Sequence, residues 1–342
     1  MRSLSLQLKL PALAAVLGLV VAGCSGGDSG NSTADDSTPD HVTYMTSFGN
    51  FGRDAYAWVA LDKGYFEEEG IEVEIQDGLG GENFTLLAGG QADFIVSDIT
   101  AALFAASEDE NHNFTMLAGI YQRTITGLMA LESSGIKTPA DLEGTTFADT
   151  PGSVNRTLFP TYAELAGIDA STVELVDSTP AELPQLLASG TVDVIGQFAV
   201  GEPLVEAAAG GEQVVYLPYS DYLTDLYGVM LFTTKELVQN DPDLARRFTR
   251  ALLRGLEYAI DHPDETGEIL AKYVDTSAEI AAEEMRLLEP YVRPLEPGAP
   301  IGAIDPDRIA RCIALLEAAG AIGPGLTPES LVSFDIAPSA SN

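Results

Sequence analysis

Two segments of the chain, one hundred residues apart, share one pattern of apolar and polar positions. The first reads L-L-A-G-G-Q-A-D-F-I-V-S-D over residues 86–98, and the second reads L-L-A-S-G-T-V-D-V-I-G-Q-F over residues 186–198. In each, a leucine pair typical of a helix end precedes a glycine, Gly90 or Gly190, that can close the helix in the left-handed conformation. An aspartate and an unbroken apolar run follow, which predicts a parallel strand covered on both faces.

The repeat predicts two similar α/β lobes that face a shared cleft. A helix, glycine and strand can recur by chance in any α/β protein, but the second copy also repeats the leucine pair, the aspartate and the isoleucine at the same spacing. Ligands of open α/β sheets bind beyond the carboxyl ends of the strands. Those ends carry Ser97 and Asp98 in the first copy and Gln197 and Phe198 in the second.

The apolar pattern before the first copy predicts a strand at 42–46, a helix at 55–63 and an alternating strand at 71–75. Between the first two lies the loop S-F-G-N-F-G-R-D, residues 47–54, whose Asp54 is a candidate N-cap. The glycine-rich loop 78–83 leads into the helix of the first copy and could present backbone N–H groups to a ligand. It is not a dinucleotide fingerprint, because Asn83 stands where the last glycine of G-x-G-x-x-G is required.

The pattern between and after the two copies completes the second lobe. A strand is predicted at 124–131, followed by a change of lobe at 132–135, and another strand at 145–148. The loop D-T-P-G-S-V-N-R, residues 149–156, is interpreted as the counterpart of loop 78–83. A strand at 214–217 and a return crossover at 227–232 close this lobe.

The C-terminal third is predicted to be helical and to pack on the first lobe. Asp241 and Pro242 have the chemistry of a helix start, and the apolar positions that follow keep helical spacing. Further helices are predicted at 263–273, 277–288 and 306–319. The arginines of the long helix are interpreted as a solvated, acid-paired surface in preference to a docking patch; they are Arg246, Arg247, Arg250 and Arg254.

The first residues have the layout of an export signal. Arg2 and Lys9 precede an apolar run at 10–21 that is too short to span a bilayer. The segment V-A-G-C, residues 21–24, is similar to a bacterial lipobox, which implies removal of residues 1–23 and lipid attachment to Cys24. A plain signal peptide with an incidental Cys24 is the alternative. Residues 24–40 are interpreted as a flexible tether.

Charge and cysteine content narrow the possible functions. The formal net charge is -35, and loss of the two basic residues Arg2 and Lys9 would make it -37. Such a surface repels nucleic acid and anionic membranes. Besides Cys24 there is only Cys312, in a helical apolar pattern typical of a buried small side chain, so no disulfide framework is expected.

Three further segments carry a family resemblance. They are Y-A-W-V-A-L-D-K-G-Y-F-E-E-E-G-I-E-V at 56–73, L-A-G-G-Q-A-D-F at 87–94 and G-I-K-T-P-A-D-L-E-G at 135–144. Together they resemble bacterial solute-binding proteins related to thiamine-pyrimidine synthase and to the sulfonate, taurine and nitrate binders. The resemblance implies an α/β fold of the type II periplasmic-binding architecture, with two lobes joined by two crossover strands. Lobe 1 would comprise 41–130 and 229–342, and lobe 2 would comprise 131–228.

No catalytic residue, metal site or cofactor is expected. The sequence has no G-x-S-x-G, H-E-x-x-H, C-x-x-C or Walker A motif. His41, His112 and His262 lack metal-ligand spacing and are interpreted as exposed loop residues. The related pyrimidine synthase depends on a histidine and a cysteine-rich segment, and neither has a counterpart here.

Binding requires convergent donors and acceptors with flat aromatic surface, and several predicted strand and helix ends supply them. The candidates combine polar groups of both lobes with aromatic rings. In lobe 1 they are Asn50, Arg53, Asp54, Tyr56, Asn83, Ser97 and Asp98. In lobe 2 and the return crossover they are Ser153, Asn155, Gln197, Phe198 and Tyr227.

Charge at these positions favours one class of ligand. A sulfonate or nitrate site needs cations, whereas Asp54 and Asp98 both fall at predicted cleft positions, against Arg53 in the same lobe and Arg156 opposite. A carboxylate can accept two parallel hydrogen bonds from an amino group and a protonated ring nitrogen, while Phe198 stacks on the ring. This favours an aminopyrimidine or a similar nitrogen heterocycle. Alternatively, the two aspartates only cap their helices.

These observations together predict a lipid-anchored receptor of an ABC importer. The segment F-G-R-D-A-Y-A-W-V-A, residues 51–60, most resembles receptors of thiamine pyrimidine precursors, with riboflavin binders close by. We expect a monomer on the outer face of the bacterial cytoplasmic membrane that closes around its ligand and delivers it to a permease and ATPase. A sulfonate, taurine, nitrate or riboflavin receptor, or an enzyme of pyrimidine synthesis, is the alternative.

Overall fold

The computed structural model describes residues 38–109 and 111–340. The predicted signal peptide, the lipobox and residues 24–37 of the tether lie outside the described residues. Among the described residues, no helix is both long and apolar enough to cross a membrane.

Strands and helices alternate through the first two thirds of the described chain. The strands are β1 Asp40–Met45, β2 Phe48–Gly49, β3 Ile71–Gln76, β4 Gly78–Leu79, β5 Phe94–Asp98, β6 Phe114–Gly119, β7 Thr126–Leu131, β8 Thr146–Asp149, β9 Glu174–Asp177, β10 Val194–Phe198, β11 Val214–Pro218 and β12 Val229–Thr234. The helices are α1 Ala55–Asp62, α2 Tyr65–Glu68, α3 Asn83–Ala88, α4 Ile99–Glu108, α5 Val154–Ala166, α6 Leu183–Ala188, α7 Glu202–Ala208, α8 Lys235–Asn240, α9 Pro242–Asp261, α10 Pro263–Tyr273, α11 Ala278–Val292, α12 Pro306–Ala318 and α13 Pro328–Leu331.

Two five-stranded sheets have the same topology, and this confirms the prediction of two α/β lobes. The first has the order β3-β1-β5-β12-β6, and the second has the order β9-β8-β10-β7-β11. In each, four strands run in the same direction, and one strand, β12 or β7, runs antiparallel to both of its neighbours. The antiparallel strand of each sheet enters from the other lobe, so the chain passes between the sheets twice.

The two passages, which we call the crossovers, comprise residues 120–125 and 219–228. The first ends before β7, because β7 pairs with β10 and β11 of the second sheet. The expected lobe boundary after residue 130 therefore falls inside a strand of the second sheet, ten residues after the crossover begins at residue 120. An apolar run predicts a strand but does not indicate which sheet the strand will join.

Strand pairing also corrects one correspondence between the lobes. β1 and β8 each lie between the two parallel strands that follow them in the chain. The loop 149–156 after β8 is therefore the counterpart of loop 47–54 after β1, and not of loop 78–83 as the sequence suggested. Both glycine-containing loops precede a helix, so composition does not distinguish them, whereas the strand order does.

The glycine that closes the helix in each copy adopts the predicted conformation. Gly90 and Gly190 both have φ of 68°. The residue after each glycine donates its N–H to the leucine carbonyl four positions before the glycine, at 2.9 Å in the first copy and 3.0 Å in the second. These bonds satisfy carbonyl groups that the helix end leaves free. The matching sequence therefore reflects matching backbone geometry.

The matching aspartates of the two copies tie each strand to its parallel neighbour. The Asp93 carboxylate accepts the Thr43 N–H at 2.8 Å, while the Asp93 N–H donates to the Thr43 carbonyl at 2.9 Å. In the second copy the Asp193 carboxylate accepts the Thr146 N–H at 2.8 Å and the Thr146 hydroxyl at 2.7 Å. The aspartate thus extends the strand ladder by one side-chain hydrogen bond, which fixes the register at the start of each strand.

The long helix α9 covers one face of the first sheet. Phe248 stacks on Phe94 of β5 with ring centres 3.9 Å apart. The interpretation of its arginines as an acid-paired surface is confirmed for three of the four, since Arg247, Arg250 and Arg254 form ion pairs.

Side chains outside the strands correct one sequence expectation and confirm another. Against expectation, His112 is buried, with its Nε2 3.1 Å from Lys235 Nζ. Trp58 is half-buried and stacks on Tyr273 with ring centres 5.2 Å apart. Cys312 is buried in α12 as predicted.

We predict that Asp93→Ala lowers the free energy of unfolding by about 1–2 kcal/mol, because it removes the acceptor of a partly buried backbone N–H. Asp193→Ala should have a smaller effect, since Asp193 is exposed. Thermal unfolding followed by circular dichroism measures both. Asp93→Asn, which keeps one acceptor oxygen, is the control. Equal unfolding temperatures for Asp93→Ala and the unmodified protein would contradict a stabilising role of the Asp93 hydrogen bond to Thr43.

Candidate functional site

The carboxyl ends of β1, β3 and β5 bring three loops together at one edge of the first sheet. β2 and β4 pair as a short ribbon that joins loop 47–54 to the loop after β3, with Phe48 opposite Leu79. The Asn83 side chain links β1 to β5 at this edge. Its amide nitrogen donates to the Thr46 carbonyl at 2.9 Å and to the Val96 carbonyl at 3.0 Å. Its oxygen accepts the Leu79 N–H at 2.7 Å. Asn83 is fully buried with these bonds made, so it supports the loops and has no group left for a ligand.

Arg53 is the residue at which candidates from the two lobes meet. Its guanidinium donates to the Phe48 carbonyl at 3.0 Å, and its Nε lies 3.5 Å from the Asp54 carboxylate. The guanidinium carbon is 4.8 Å from the ring centre of Phe51 and 6.0 Å from that of Phe198. Phe198 ends β10 in the second sheet, so a strand end of each lobe contributes to this corner.

Asp54 does not cap its helix. One of its carboxylate oxygens accepts the Ser47 N–H at 3.2 Å and the Ser47 hydroxyl at 2.8 Å, and the side chain makes no bond to the first turn of α1. The other oxygen accepts no hydrogen bond from any residue that the structure describes. Burial raises the pKa of Asp54, and the Arg53 charge and the Ser47 hydrogen bonds only partly oppose the rise.

A second carboxylate, Glu284 of α11, reaches the same corner. It accepts the Arg53 N–H at 3.1 Å across 231 residues of sequence, and burial raises its pKa, with Asp54 adding to the rise. The loop lies directly on α11, because a Cβ on Gly52 would be 2.7 Å from the Ala281 backbone. No sequence pattern indicates Glu284, since a helical position in the last third cannot be connected to loop 47–54 without the tertiary fold.

The tyrosines near the loop form its buried support. The Tyr56 hydroxyl is 3.2 Å from the Tyr44 hydroxyl, and the Tyr121 hydroxyl donates to the Arg53 carbonyl at 3.1 Å. Burial raises the pKa of all three phenols well above the ordinary value, so they stay neutral. Tyr56 is fully buried, which gives it the role of holding loop 47–54 in place.

Asp98 does cap its helix, which is the alternative role given above for this residue. Its carboxylate accepts the Thr100 N–H at 2.8 Å at the start of α4. Burial raises the pKa of Asp98 to about 6, and within the described residues no basic group contributes to that value. Ser97, just before it, is buried in the strand pair with Met230. Asp98 is therefore a carboxylate at a strand end that has one hydrogen-bond partner and no counter-charge.

The second lobe presents a compact polar group beside β10. Asp149 ends β8 and accepts hydrogen bonds from the Thr150 N–H at 2.6 Å and from the Ser153 hydroxyl. Ser153 also caps α5 by accepting the Arg156 N–H at 3.1 Å. The Asn155 side-chain oxygen is buried and has no hydrogen-bond partner among residues 38–109 and 111–340. Asp149 was missed by sequence reasoning, although it begins the loop that supplied Ser153 and Asn155.

The remaining candidates have partners within the protein. Asn50 donates to the Asp77 carboxylate, which links loop 47–54 to the end of β3. The Gln197 side-chain oxygen accepts the Phe198 N–H at 2.9 Å and thereby fixes the end of β10. Tyr227 is buried, its hydroxyl accepts the Asp305 N–H at 3.0 Å, and Arg308 covers its ring. Tyr227 therefore belongs to the packing of the crossovers, which the sequence did not reveal because α12 lies about eighty residues further along.

The balance of charge favours ligands that donate hydrogen bonds. Arg53 is paired with Asp54, and Arg156 is paired with Asp177, so both candidate cations already have a carboxylate partner. Asp98 has no such partner. In the described part of the chain, no group of three histidine, cysteine, aspartate or glutamate side chains is arranged to hold a metal ion.

Flat apolar surface accompanies these acceptors. Phe48 and Phe51, in loop 47–54, are 57% and 44% exposed, and Leu79 beside them is 50% exposed. Exposed aromatic rings grouped at a strand end are typical of a surface that a ligand or a second lobe covers. The sequence carried a signal for this feature, two phenylalanines in a glycine-containing loop, but the sequence prediction did not use it.

The protein was compared with known families and structures. Residues 55–266 match the family described as NMT1/THI5 like. A formylaminopyrimidine-binding protein of Halalkalibacterium halodurans is 25% identical over 295 residues, which cover 84% of this chain and 88% of that protein. A 4-amino-5-hydroxymethyl-2-methylpyrimidine phosphate synthase of Legionella pneumophila is 27% identical over 223 residues, which cover 63% of this chain and 67% of that protein.

Solved structures share the fold. The periplasmic aliphatic sulphonate binding protein SsuA from Escherichia coli superposes with a TM-score of 0.69 at 16% identity, over 86% of this chain and 92% of that one. The two lobes described above thus share the fold of that periplasmic binding protein. Because the matched family region spans more than half of the sequence, the chain belongs to the NMT1/THI5-like family.

Proposed function

We propose that this protein is a lipid-anchored, extracytoplasmic receptor of an ABC importer that binds a small nitrogen heterocycle, such as a pyrimidine precursor of thiamine, between its lobes. The observation that carries the proposal is the corner at Arg53, where loop 47–54 of the first lobe faces Phe198 of the second. Binding there requires only that the lobes close, and no bond of the ligand needs to break.

The acceptors at the strand ends determine the class of ligand in this proposal. Asp54 has one buried oxygen without a hydrogen bond, and Asp98 has no counter-charge among the described residues. An amino group next to a ring N–H offers two parallel donors, which match the two oxygens of one carboxylate. A sulfonate would instead have to displace Asp54 from Arg53 or Asp177 from Arg156. The printed name of the Halalkalibacterium relative, a formylaminopyrimidine-binding protein, agrees with this class.

The aromatic side chains supply the shape of the site. Phe198 is half-buried at the end of β10, and Phe51 is exposed, with ring centres 6.0 Å and 4.8 Å from the Arg53 guanidinium carbon. Their rings would cover the faces of a flat ligand, which a stacked geometry makes favourable by about 0.5–1.5 kcal/mol per pair. A flat ligand with hydrogen-bond donors at its edge could stack on the aromatic side chains and donate to the carboxylates.

The mechanism is closure of the two lobes. Ligand shifts the equilibrium towards the closed form only by its additional affinity for that form, so groups of both lobes must touch it. Permease and ATPase subunits would recognise the closed form and supply the energy of transport. The Legionella relative is named as a synthase, but the enzymatic alternative has no support from a metal cluster in the described residues.

We predict that a ligand of the aminopyrimidine class co-purifies with the protein or stabilises it. Mass spectrometry of small molecules released on denaturation, followed by a thermal-shift panel of aminopyrimidines, flavins and sulfonates, tests this. At a ligand concentration of about 100 times Kd, stabilisation should reach about 2.7 kcal/mol. Stabilisation by sulfonates or flavins alone would overturn the proposed ligand, and turnover of a pyrimidine would overturn the receptor.

Asp98→Asn should weaken binding of an aminopyrimidine about 10- to 100-fold, because a charge-assisted pair of hydrogen bonds is lost. The same change should stabilise the ligand-free protein at pH 7.5. The folded pKa of Asp98, about 6, lies above the ordinary value of 3.8, so ionisation opposes folding. This penalty is absent below about pH 4 and complete above about pH 7. Asparagine removes it while still capping α4.

The gain in the free energy of unfolding should be roughly 1–2 kcal/mol at pH 7.5, after allowance for solvent screening, and close to zero at pH 4. Titration calorimetry and urea unfolding at both pH values measure the two effects. The control is Asp141→Asn, whose carboxylate accepts the Thr138 N–H in an exposed capping box remote from the cleft. Unchanged affinity in Asp98→Asn would remove Asp98 from the site.

Phe198→Ala should lower affinity for the same ligand about 10-fold through loss of a stacked ring. Leu204→Ala, which shortens an apolar side chain that is 63% exposed in α7 of the same lobe, is the matched control and should leave affinity unchanged. Titration calorimetry of both variants provides the comparison. Equal affinities for the two would show that the second lobe does not use Phe198 to hold the ligand.

A further inference from the structure

Both crossovers are held by one buried side chain, Arg308 in the first turn of α12. We propose that Arg308 is a positioning residue that fixes the angle between the two lobes. The inference rests on the proposed closure of the lobes, but it concerns the hinge and not the ligand site. α12 was predicted from sequence as one more helix on the first lobe, and nothing in its sequence indicated that it contacts the crossovers.

The guanidinium of Arg308 bonds to both crossovers at the same time. Its Nε donates to the Asp225 carbonyl of the second crossover at 2.9 Å. Its Nη2 donates to the Gln122 carbonyl of the first crossover, and its Nη1 lies 3.5 Å from the Gln122 side-chain oxygen. The guanidinium carbon also lies 3.8 Å from the ring centre of Tyr227. A single planar group therefore connects the two segments that must bend when the lobes move.

Neighbouring residues of α12 strengthen the attachment to the second crossover. The Asp305 N–H donates to the Tyr227 hydroxyl at 3.0 Å, and the Cys312 thiol donates to the Asp225 carbonyl at 2.9 Å. Arg311 forms an ion pair with the Asp225 carboxylate at 2.9 Å. Of these residues, only Arg308 also reaches the first crossover. The contact between the crossovers through α12 thus depends on one side chain.

Within the described residues, the charge of Arg308 has no counter-ion. The side chain is 1% exposed, and none of the described carboxylates forms an ion pair with it. The sequence has 52 acidic residues against 17 basic ones, so acidic side chains are abundant. A buried charge without a counter-charge requires hydrogen-bond acceptors, and here two crossover carbonyls and the Gln122 side-chain oxygen accept three of the five N–H groups. The arrangement is therefore suited to holding backbone in place, which a fork of fixed donors does and a lysine cannot.

The position of the second crossover is transmitted to the candidate site. Gly228 follows Tyr227; its carbonyl accepts the Ile99 N–H at 3.0 Å, and its N–H donates to the Tyr121 carbonyl at 3.1 Å. Ile99 adjoins Asp98. A Cβ on Gly228 would lie 2.7 Å from the Arg123 carbonyl, so the two crossovers touch backbone to backbone without spare room. A shift of Tyr227 away from Arg308 would thus move the strand end that carries Asp98.

The test compares Arg308→Lys with Arg311→Gln in the ligand-free protein. Arg311 lies one turn further along α12 and contacts only the Asp225 carboxylate on the second crossover, so it is a matched control. Spin labels at Gln239→Cys in α8 and Ala140→Cys in the second lobe, both exposed, report the distance between lobes by pulsed electron resonance. Cys24→Ser prevents labelling at the N-terminal cysteine, and Cys312 is buried.

We expect the distribution of distances between the lobes to broaden by about half in Arg308→Lys, because only the direct backbone contacts then connect the crossovers, and to be unchanged in Arg311→Gln. Affinity for any ligand found in the thermal-shift panel should fall about 10-fold in Arg308→Lys, since the binding-competent angle is populated less. Identical distributions for the two variants would overturn the proposal.

If Arg308→Lys does not fold, Gln122→Met, which removes one side-chain acceptor of Arg308 and keeps the backbone, takes its place. It should broaden the distribution in the same sense but less, and no broadening would overturn the proposal. The distance measurement needs no ligand. If the ligand is not an aminopyrimidine, the distance distributions still test the role of Arg308. If the distribution does not broaden in Arg308→Lys, the ligand assignment is unaffected.

Discussion

Within the described residues, two short passages of backbone connect the two sheets, and the use of the cleft depends on how these passages are held. Each passage delivers an antiparallel strand into the opposite sheet, so its ends are fixed by strand ladders. What lies between is fixed by backbone hydrogen bonds and by side chains that include Arg308, Gln122 and Tyr227. In the proposed function, a ligand closes the lobes against the stiffness of this arrangement, so the packing of α12 would contribute to the binding energetics.

The candidate site is a surface on which carboxylates outnumber free cations. Asp54, Asp98 and Glu284 all have pKa values raised by burial, which means that the fold holds them at the expense of stability. Buried carboxylates with raised pKa values are common at functional sites, where a ligand can supply the hydrogen-bond donors that the protein lacks. The two arginines that could attract an anion are already paired, so the electrostatics of the corner favour a donor-rich ring over a sulfonate. In the proposed function, loop 47–54, which lies between α11 and the buried tyrosines, would support such a ligand.

The two lobes apply the same structural devices to different purposes. Both copies have the glycine at the helix end and the aspartate that accepts a backbone hydrogen bond from the neighbouring strand. The residues at the strand ends differ: Ser97 and Asp98 in the first lobe, Gln197 and Phe198 in the second. The matching strand ends of the two copies therefore carry different chemistry, a carboxylate at Asp98 and an aromatic ring at Phe198.

The sequence by itself determined the two-lobed α/β fold, the closing glycines and the long C-terminal helices, because these follow from local periodicity and from backbone preferences of single residues. It also indicated Arg53, Asp54, Asp98 and Phe198 as candidate site residues, since a strand end can be located from where an apolar run stops. Only the tertiary structure decided that β7 joins the second sheet, that Asp54 leaves its helix uncapped while Asp98 caps α4, and that Asn83 and Tyr227 have internal partners. It alone brought Glu284 to Arg53 and Arg308 to both crossovers. Each of these depends on contacts between residues far apart in the chain, and such contacts leave no periodic trace in the sequence.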